Sequence, residues 1–221
     1  MKTFFLLGSL LFAFHLVLAQ DDPDPLRFSS EIAVFDSLDA ANMPPKGCVL
    51  FIGSSSIRMW KSAEKTFKKY QVINRGFGGS QASDANFFYD RLVKMYSPSK
   101  ILYYEGDNDL AVGKSPERVL KDFKVFVGKV EKDLPSAIIY FLSIKPSPSR
   151  WELADAMQTT NKMVIDYCQE KENLEFVDVF EPMLGKDGRP IPKLFTSDSL
   201  HMTPKGYKIW KKEVKPFLES R

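Results

Sequence analysis

The sequence predicts a three-layer α/β/α sandwich built on a five-stranded parallel sheet. Three observations carry that expectation. Short apolar runs alternate with helical patterns five times along the chain. The runs are apolar throughout rather than at every second residue, as in strands covered on both faces. The connections between them are long enough to hold a helix, as a crossover between parallel strands requires.

The elements follow in order. Ser30 to Asn42 has helical spacing, with Ile32, Phe35, Leu38 and Ala41 on one face, and Met43-Pro44-Pro45-Lys46-Gly47 stops it. Cys48 to Ile52 is the first strand. Gly53-Ser54-Ser55-Ser56 closes it, and a helix is expected from there through Tyr70. Val72-Ile73 is the second strand, closed by Gly76-Phe77-Gly78-Gly79. Ser83 stands where it would cap a helix that turns Phe88, Leu92 and Met95 inward. Ile101 to Tyr104 is the third strand and runs into Glu105-Gly106-Asp107-Asn108-Asp109. Ser115-Pro116, a cap residue with proline in the first turn, starts a helix striped by Val119, Phe123, Phe126, Val130 and Leu134. Ala137 to Ile144 is the fourth strand, and Lys145 to Arg150 a proline-broken loop. Trp151 to Lys171 reads as a helix and Leu174 to Val179 as the fifth strand. An irregular stretch leads to Asp198-Ser199-Leu200-His201. Thr203-Pro204 then starts the closing helix, with Tyr207, Trp210, Val214 and Phe217 on its apolar side.

The first residues read as a secretory signal. Lys2 is its positive end, Phe4 to Leu18 its apolar stretch, and Val17-Leu18-Ala19 a small-residue cleavage site. The apolar stretch is shorter than the roughly 20 residues of a membrane span. No cysteine stands just after the cut to take a lipid. The expected division is a signal peptide over 1–19, an exposed leader over 20–29 and one domain over 30–221. The protein is expected to be secreted or periplasmic, without a membrane anchor. A formal charge of +3, less the one charge of Lys2, leaves +2 and no nucleic-acid footprint. Cys48 and Cys168 are the only cysteines. Export permits a disulfide, but each falls on an apolar run, which favours two separate buried thiols. Two cysteines and one retained histidine are too few for a structural zinc site, and neither metal nor cofactor is expected.

In open parallel sheets ligands bind beyond the carboxyl ends of the strands, and the chemically loaded loops all lie there. His15 leaves with the signal, so His201 is the single imidazole of the processed chain. It can move a proton near neutral pH, and Asp198, three residues before it, can fix its tautomer. A serine at the end of the first strand needs such a base to become a nucleophile. Glycines after the second strand let backbone N–H groups approach a substrate, and the Asn108 amide is a donor for a developing oxyanion. Each feature also has a plainer reading. The serines suit a helix cap, the glycines a phosphate loop, and Asp107-Asn108-Asp109 a cation site. The glycine loop fails the dinucleotide fingerprint because Gln81 stands where the third glycine belongs. The acidic run fails the EF-hand spacing because Ala111 stands where Asp or Asn is required. A Gly-x-Ser-x-Gly elbow does not occur.

Together these loops resemble the SGNH (GDSL-type) hydrolase family over essentially the whole mature chain. The family's first block matches Phe51-Ile52-Gly53-Ser54-Ser55-Ser56-Ile57-Arg58, with Ser55 in the nucleophile register. Its second-block glycine matches Gly79, its Gly-x-Asn-Asp matches Gly106-Asp107-Asn108-Asp109, and its Asp-x-x-His matches Asp198 and His201. The layout is similar to the platelet-activating-factor acetylhydrolase catalytic subunits. The resemblance implies a flavodoxin-like SGNH hydrolase fold and ester hydrolysis through Ser55, Asp198 and His201. It further implies an oxyanion hole from the Ser55 and Gly79 N–H groups and the Asn108 amide. One departure stands out. Ser54 replaces the usual Asp and Ser56 the usual aliphatic residue, so three consecutive serines compete and only register selects Ser55.

No long insertion forms a lid, which favours a small acyl group, acetyl above all, on a carbohydrate or other small alcohol. A lysophospholipid or other lipid ester is the rival substrate, and a contiguous apolar pocket from Ser55 would mark it. A non-catalytic glycan-binding domain on the same scaffold is the reading from another class. Arg58, Arg150 and Trp151 lie on loops that would rim the site as substrate-binding candidates. Trp151 suits either stacking on a sugar ring or packing at a helix start.

Overall fold

The apolar runs pair as parallel strands. In the computed structural model, which describes residues 22–220, these are β1 (Val49–Gly53), β2 (Val72–Gly76), β3 (Lys100–Tyr104), β4 (Ile138–Leu142) and β5 (Leu174–Val177). They form one sheet of order β2-β1-β3-β4-β5. The signal segment lies outside the described residues. The strand order reverses between β1 and β3, the place where such sheets bind ligands. Register aligns Gly53 with Gly76 on one side and with Tyr104 on the other. The carboxyl ends of the three strands are therefore level, and the loops that follow them meet.

The helices are α1 (Ser29–Ala41), α2 (Ser55–Arg58), α3 (Ala63–Thr66), α4 (Ala82–Phe87), α5 (Tyr89–Leu92), α6 (Asp107–Ala111), α7 (Pro116–Asp133), α8 (Ala154–Cys168) and α9 (Pro204–Glu219). Successive strand residues point to opposite faces, so each strand feeds two cores. Leu50, Ile52, Ile101, Tyr103, Ile139 and Phe141 pack with α1, α4, α5, α7 and α8. Val49, Phe51, Leu102, Tyr104, Tyr140 and Leu142 pack with α2, α3 and α9. That double burial is why the strands read as continuous apolar runs. Each fully buried Phe or Leu in them contributes about 1.5–3 kcal/mol relative to exposure.

Ser115 and Thr203 cap α7 and α9 as their sequences predict, accepting from the Arg118 and Gly206 N–H groups. Trp210, Val214 and Leu218 bury the inner side of α9, which anchors the turn carrying His201 just before it.

Three expectations are corrected. The helix expected through Tyr70 is broken into α2, α3 and a 3₁₀ turn, Lys68–Tyr70. Ile57, Trp60 and Ala63 are all buried. Their spacing of three suits tight i→i+3 turns better than a 3.6-residue helix, and the Trp60 and Ala63 N–H groups bond to Ile57 and Trp60. Ser83 does not cap its helix. The Asp84 carboxylate instead accepts from the Gln81 N–H at 2.9 Å and from Arg27 at 2.5 Å, and α4 starts at Ala82. The helix expected from Trp151 starts at Ala154, because a 3₁₀ turn over Pro148–Leu153 kinks at Arg150. Over its described part the leader is exposed at Asp22, Asp24, Leu26 and Arg27 and buried at Phe28. Asp22 pairs with Lys114 at 2.7 Å, and Phe28 packs edge-on to Phe77.

Cys48 and Cys168 are separate buried free thiols. Burial pushes each up to about 11. No helix among the described residues is long and apolar enough to cross a membrane.

Candidate active site

The turn after β1 is shaped by a close approach. Gly53 has φ +151°, and a Cβ there would sit 2.2 Å from the Tyr104 carbonyl oxygen. Without one, β1 lies flush with β3, and the Ser54 N–H donates to that same oxygen at 3.1 Å. The chain then turns into α2, whose first residue is Ser55. Ser54 and Ser56 are buried at 2% and 3% exposure, whereas Ser55 is half-buried. Of the three serines, it is Ser55 whose hydroxyl meets the imidazole.

His201 Nε2 lies 2.9 Å from Ser55 Oγ, and His201 Nδ1 lies 2.6 Å from Asp198 Oδ2. A carboxylate only accepts, so Nδ1 carries the ring proton and Nε2 presents its lone pair to the Ser55 hydroxyl. Asp198 is fixed in turn. Its Oδ1 accepts from the Leu200 and His201 N–H groups, both at 2.9 Å, and from the Thr196 hydroxyl at 2.7 Å. Ser199 allows the tight turn between them with φ +58°. Desolvation opposes the Asp198 charge, but the His201 ring and these donors outweigh it and hold the carboxyl well below the usual carboxylate range. The His201 side chain keeps 23% exposure, so the centre is open to substrate.

The three donors nominated from the sequence are the Ser55 and Gly79 N–H groups and the Asn108 amide. The Ser55 and Gly79 N–H groups have no acceptor among the described residues. Gly79 has φ +84°, and a Cβ built on it would meet nothing within 4 Å, so it borders open space. Asn108 is clamped in one orientation. Its Nδ2 donates to the Ser80 carbonyl at 2.9 Å, while its Oδ1 accepts from Arg150 Nη1 and Nη2, each at 3.1 Å. Guanidinium donors on Oδ1 settle which end of the amide is the donor, and Nδ2 keeps its second hydrogen free.

The substrate-binding candidates fall in three different places. Arg150 also donates to Asp107 at 2.6 Å, so both faces of its fork are engaged by α6. Arg58 lies against the glycine loop, where a Cβ on Gly78 would meet its Cζ at 2.6 Å, and it stands 3.6 Å from Glu31. Trp151 lines a groove of about 450 Å³ with Pro148, Asp187, Arg189 and Ile191. The loop carrying Arg150 and Trp151 is tied to the histidine turn through the Ser149 N–H and the Ser199 carbonyl, 3.1 Å apart.

The acids of the third loop are structural. Asp107 holds Lys145 at 3.0 Å besides Arg150, and Asp109 holds Lys114 at 3.0 Å and the Gly106 N–H at 3.1 Å. Desolvation works against the Asp107 charge, but the Lys145 and Arg150 cations prevail and lower its pKa. Sequence reasoning missed the Asp107–Lys145–Arg150 cluster. The available signal was Lys145 itself, a charge placed directly behind an apolar strand.

Arg150 positions Asn108, so we expect Arg150→Met to lower kcat about tenfold to a hundredfold, the scale of a misplaced reacting group, with KM little changed. Steady-state kinetics beside a thermal melt check this. A rise in KM alone would return Arg150 to substrate contact.

A β1–β3 switch point carrying a serine, an imidazole and a carboxylate in hydrogen-bonded series is the architecture of a serine hydrolase. The GDSL-like lipase/acylhydrolase family model matches residues 55–209, well over half of the chain. The chain belongs to that family, and its members are ester hydrolases. Among solved structures it resembles a Streptococcus pneumoniae protein provisionally named a platelet activating factor. They share 24% identity over 87% of this chain and 94% of that one, with a TM-score of 0.77. It also resembles a GDSL-like lipase from Bacteroides thetaiotaomicron, at 22% identity over 89% and 97% of the two chains, with a TM-score of 0.72. A carbohydrate esterase family 3 protein from Talaromyces cellulolyticus shares the fold at 14% identity over 77% and 95%, with a TM-score of 0.63. Comparison with curated proteins finds no match.

Proposed function

We propose that the protein is an exported serine esterase that removes small acyl groups, acetyl above all, from a carbohydrate. The observation that carries this reading is His201 bridging Ser55 at 2.9 Å and Asp198 at 2.6 Å. His201 Nε2 takes the Ser55 proton as Oγ attacks the ester carbonyl. The tetrahedral oxyanion rests on the Ser55 and Gly79 N–H groups and the Asn108 amide. His201 returns the proton to the leaving alcohol. Water, deprotonated by the same nitrogen, then attacks the acyl-enzyme and releases the acid and the Ser55 hydroxyl. Asp198 keeps the proton on Nδ1 and stabilises the imidazolium at each transfer.

The substrate assignment rests on the surroundings. Asn108, Ser80, Arg150 and Asp107, on the loops that follow β2, β3 and β4, are polar and engaged with each other. That favours a compact acyl group over a long chain. The Trp151 groove joins a flat aromatic and proline wall to an acid and a base, Asp187 and Arg189, as suits a sugar ring. The carbohydrate esterase among the similar structures agrees with this choice. Activity on p-nitrophenyl esters from acetyl to palmitoyl tests it. The expected maximum is at acetyl, with acetylated glycans as the next substrates, and a maximum at long chains would replace this reading with a lipid acylhydrolase.

Export rests on the sequence of residues 1–19. Protein recovered from the medium or periplasm should begin at Gln20 by mass spectrometry, and a mature chain retaining Met1 would overturn export.

A further inference from the structure

Glu105 is a buried acid that the proposed mechanism does not use. It sits between β3 and α6, is 1% exposed, and faces Asp84, Asp109, Lys114 and Tyr103. The one cation among these, Lys114, is engaged by Asp22, Asp109 and Asp122. Glu105 Oε2 has no partner among the described residues. Oε1 lies 2.6 Å from Ser80 Oγ, and that oxygen lies 3.0 Å from the Phe77 carbonyl.

A serine hydroxyl has one hydrogen, and a carbonyl can only accept. If the Ser80 hydrogen goes to Phe77, the contact with Glu105 needs a hydrogen from Glu105. An ionised Glu105 would instead take the Ser80 hydrogen and strip the Phe77 carbonyl. It would also be an unpaired charge beside two other carboxylates, a costly arrangement in a dry interior. Burial, and next the charge of Asp109, push this carboxyl well above its ordinary value.

We infer that Glu105 is held as the neutral acid and is a positioning residue of the oxyanion hole, donating to Ser80, which donates to Phe77. Ser80 follows Gly79 directly, and its carbonyl receives the Asn108 amide. Glu105 directly precedes Gly106, at the head of the helix that carries Asn108. One proton thus ties the β2 loop to the β3 loop, and with them two of the three oxyanion donors. This inference rests on the proposed role of those donors.

Infrared difference spectroscopy of the wild-type protein against Glu105→Gln at pH 7 reads the proton directly. The expected result is a protonated carboxyl C=O band that the variant lacks. In parallel, Glu105→Leu removes the hydrogen bond without adding charge, and kcat should fall about tenfold to a hundredfold with KM little changed. Gln can donate to Ser80 without charge, so Glu105→Gln should restore most of kcat. Absence of the band, Gln as impaired as Leu, or full kcat in the Leu variant would each overturn the inference. Should the Leu variant fail to fold, the band and the Gln variant decide, because an ionised Glu105 predicts no band and a loss of kcat with Gln. The band is read without turnover, so it stands or falls apart from the esterase reading, which Ser55→Ala tests.

Discussion

Ser55→Ala is expected to lower kcat by at least about 10⁴-fold, leaving only the residual rate that binding and oxyanion donors supply without a nucleophile. The neighbouring serines cannot stand in. Ser54 and Ser56 are buried, and the Ser54 backbone is committed to Tyr104, Ile57 and Arg58. Moving either hydroxyl to His201 would mean rotating the first turn of α2, where Ile57 is packed into the core with no exposure. Substrate affinity should change little, because the lost oxygen contributes chiefly to the reacting state. Stability should change little as well, since Ser55 Oγ bonds to an accessible imidazole and not to the core. Steady-state kinetics of the variant on an activated acetyl ester give the result. A variant that retains more than about a hundredth of wild-type kcat would mean another nucleophile, since oxyanion donors alone do not sustain such a rate.

Asp198→Asn has the second largest expected effect, about 10³- to 10⁴-fold in kcat. The substitution preserves size and shape but reverses the hydrogen bond. Asp198 Oδ2 accepts from His201 Nδ1. An asparagine that keeps Oδ1 as acceptor for the Leu200 and His201 N–H groups turns its NH₂ toward Nδ1. The ring proton then moves to Nε2, which faces Ser55 as a donor and can no longer take the hydroxyl proton. The backbone N–H bonds are kept, so the turn survives and the thermal melt should shift little. Full activity in this variant would remove Asp198 from the mechanism.

The fold was legible because both faces of the sheet are covered. Apolar runs such as Leu50-Phe51-Ile52 and Leu102-Tyr103-Tyr104 have no other use, and capped starts at Ser115-Pro116 and Thr203-Pro204 mark the long helices. What escaped was local. Ile57, Trp60 and Ala63 repeat at three, close enough to helical spacing that only the packed structure separates the two. At the start of α4, Asp84 in the first turn accepts from the Gln81 N–H, and Arg27, distant in sequence and so not legible from neighbours, holds the same carboxylate. At the site, Asp198 and His201 were nominated by spacing and Ser55 by the family resemblance, and the three are brought into contact. Arg150 was nominated for substrate and also grips Asn108, because Asp107, Lys145 and Arg150 form one charge cluster across two loops. Sequence distance conceals such clusters, whereas a charge stranded behind an apolar strand, as at Lys145, hints at them.

His201 is expected to activate the Ser55 hydroxyl and no other. An organophosphonate ester that phosphonylates activated serines tests it without choosing a substrate. After reaction, the protein is digested and the adduct located by mass spectrometry, with Asp198→Asn treated alongside. A single adduct on Ser55 is expected, formed quickly in the wild type and slowly in the variant. An adduct on Ser54 or Ser56, or active enzyme that takes up no label, would contradict it.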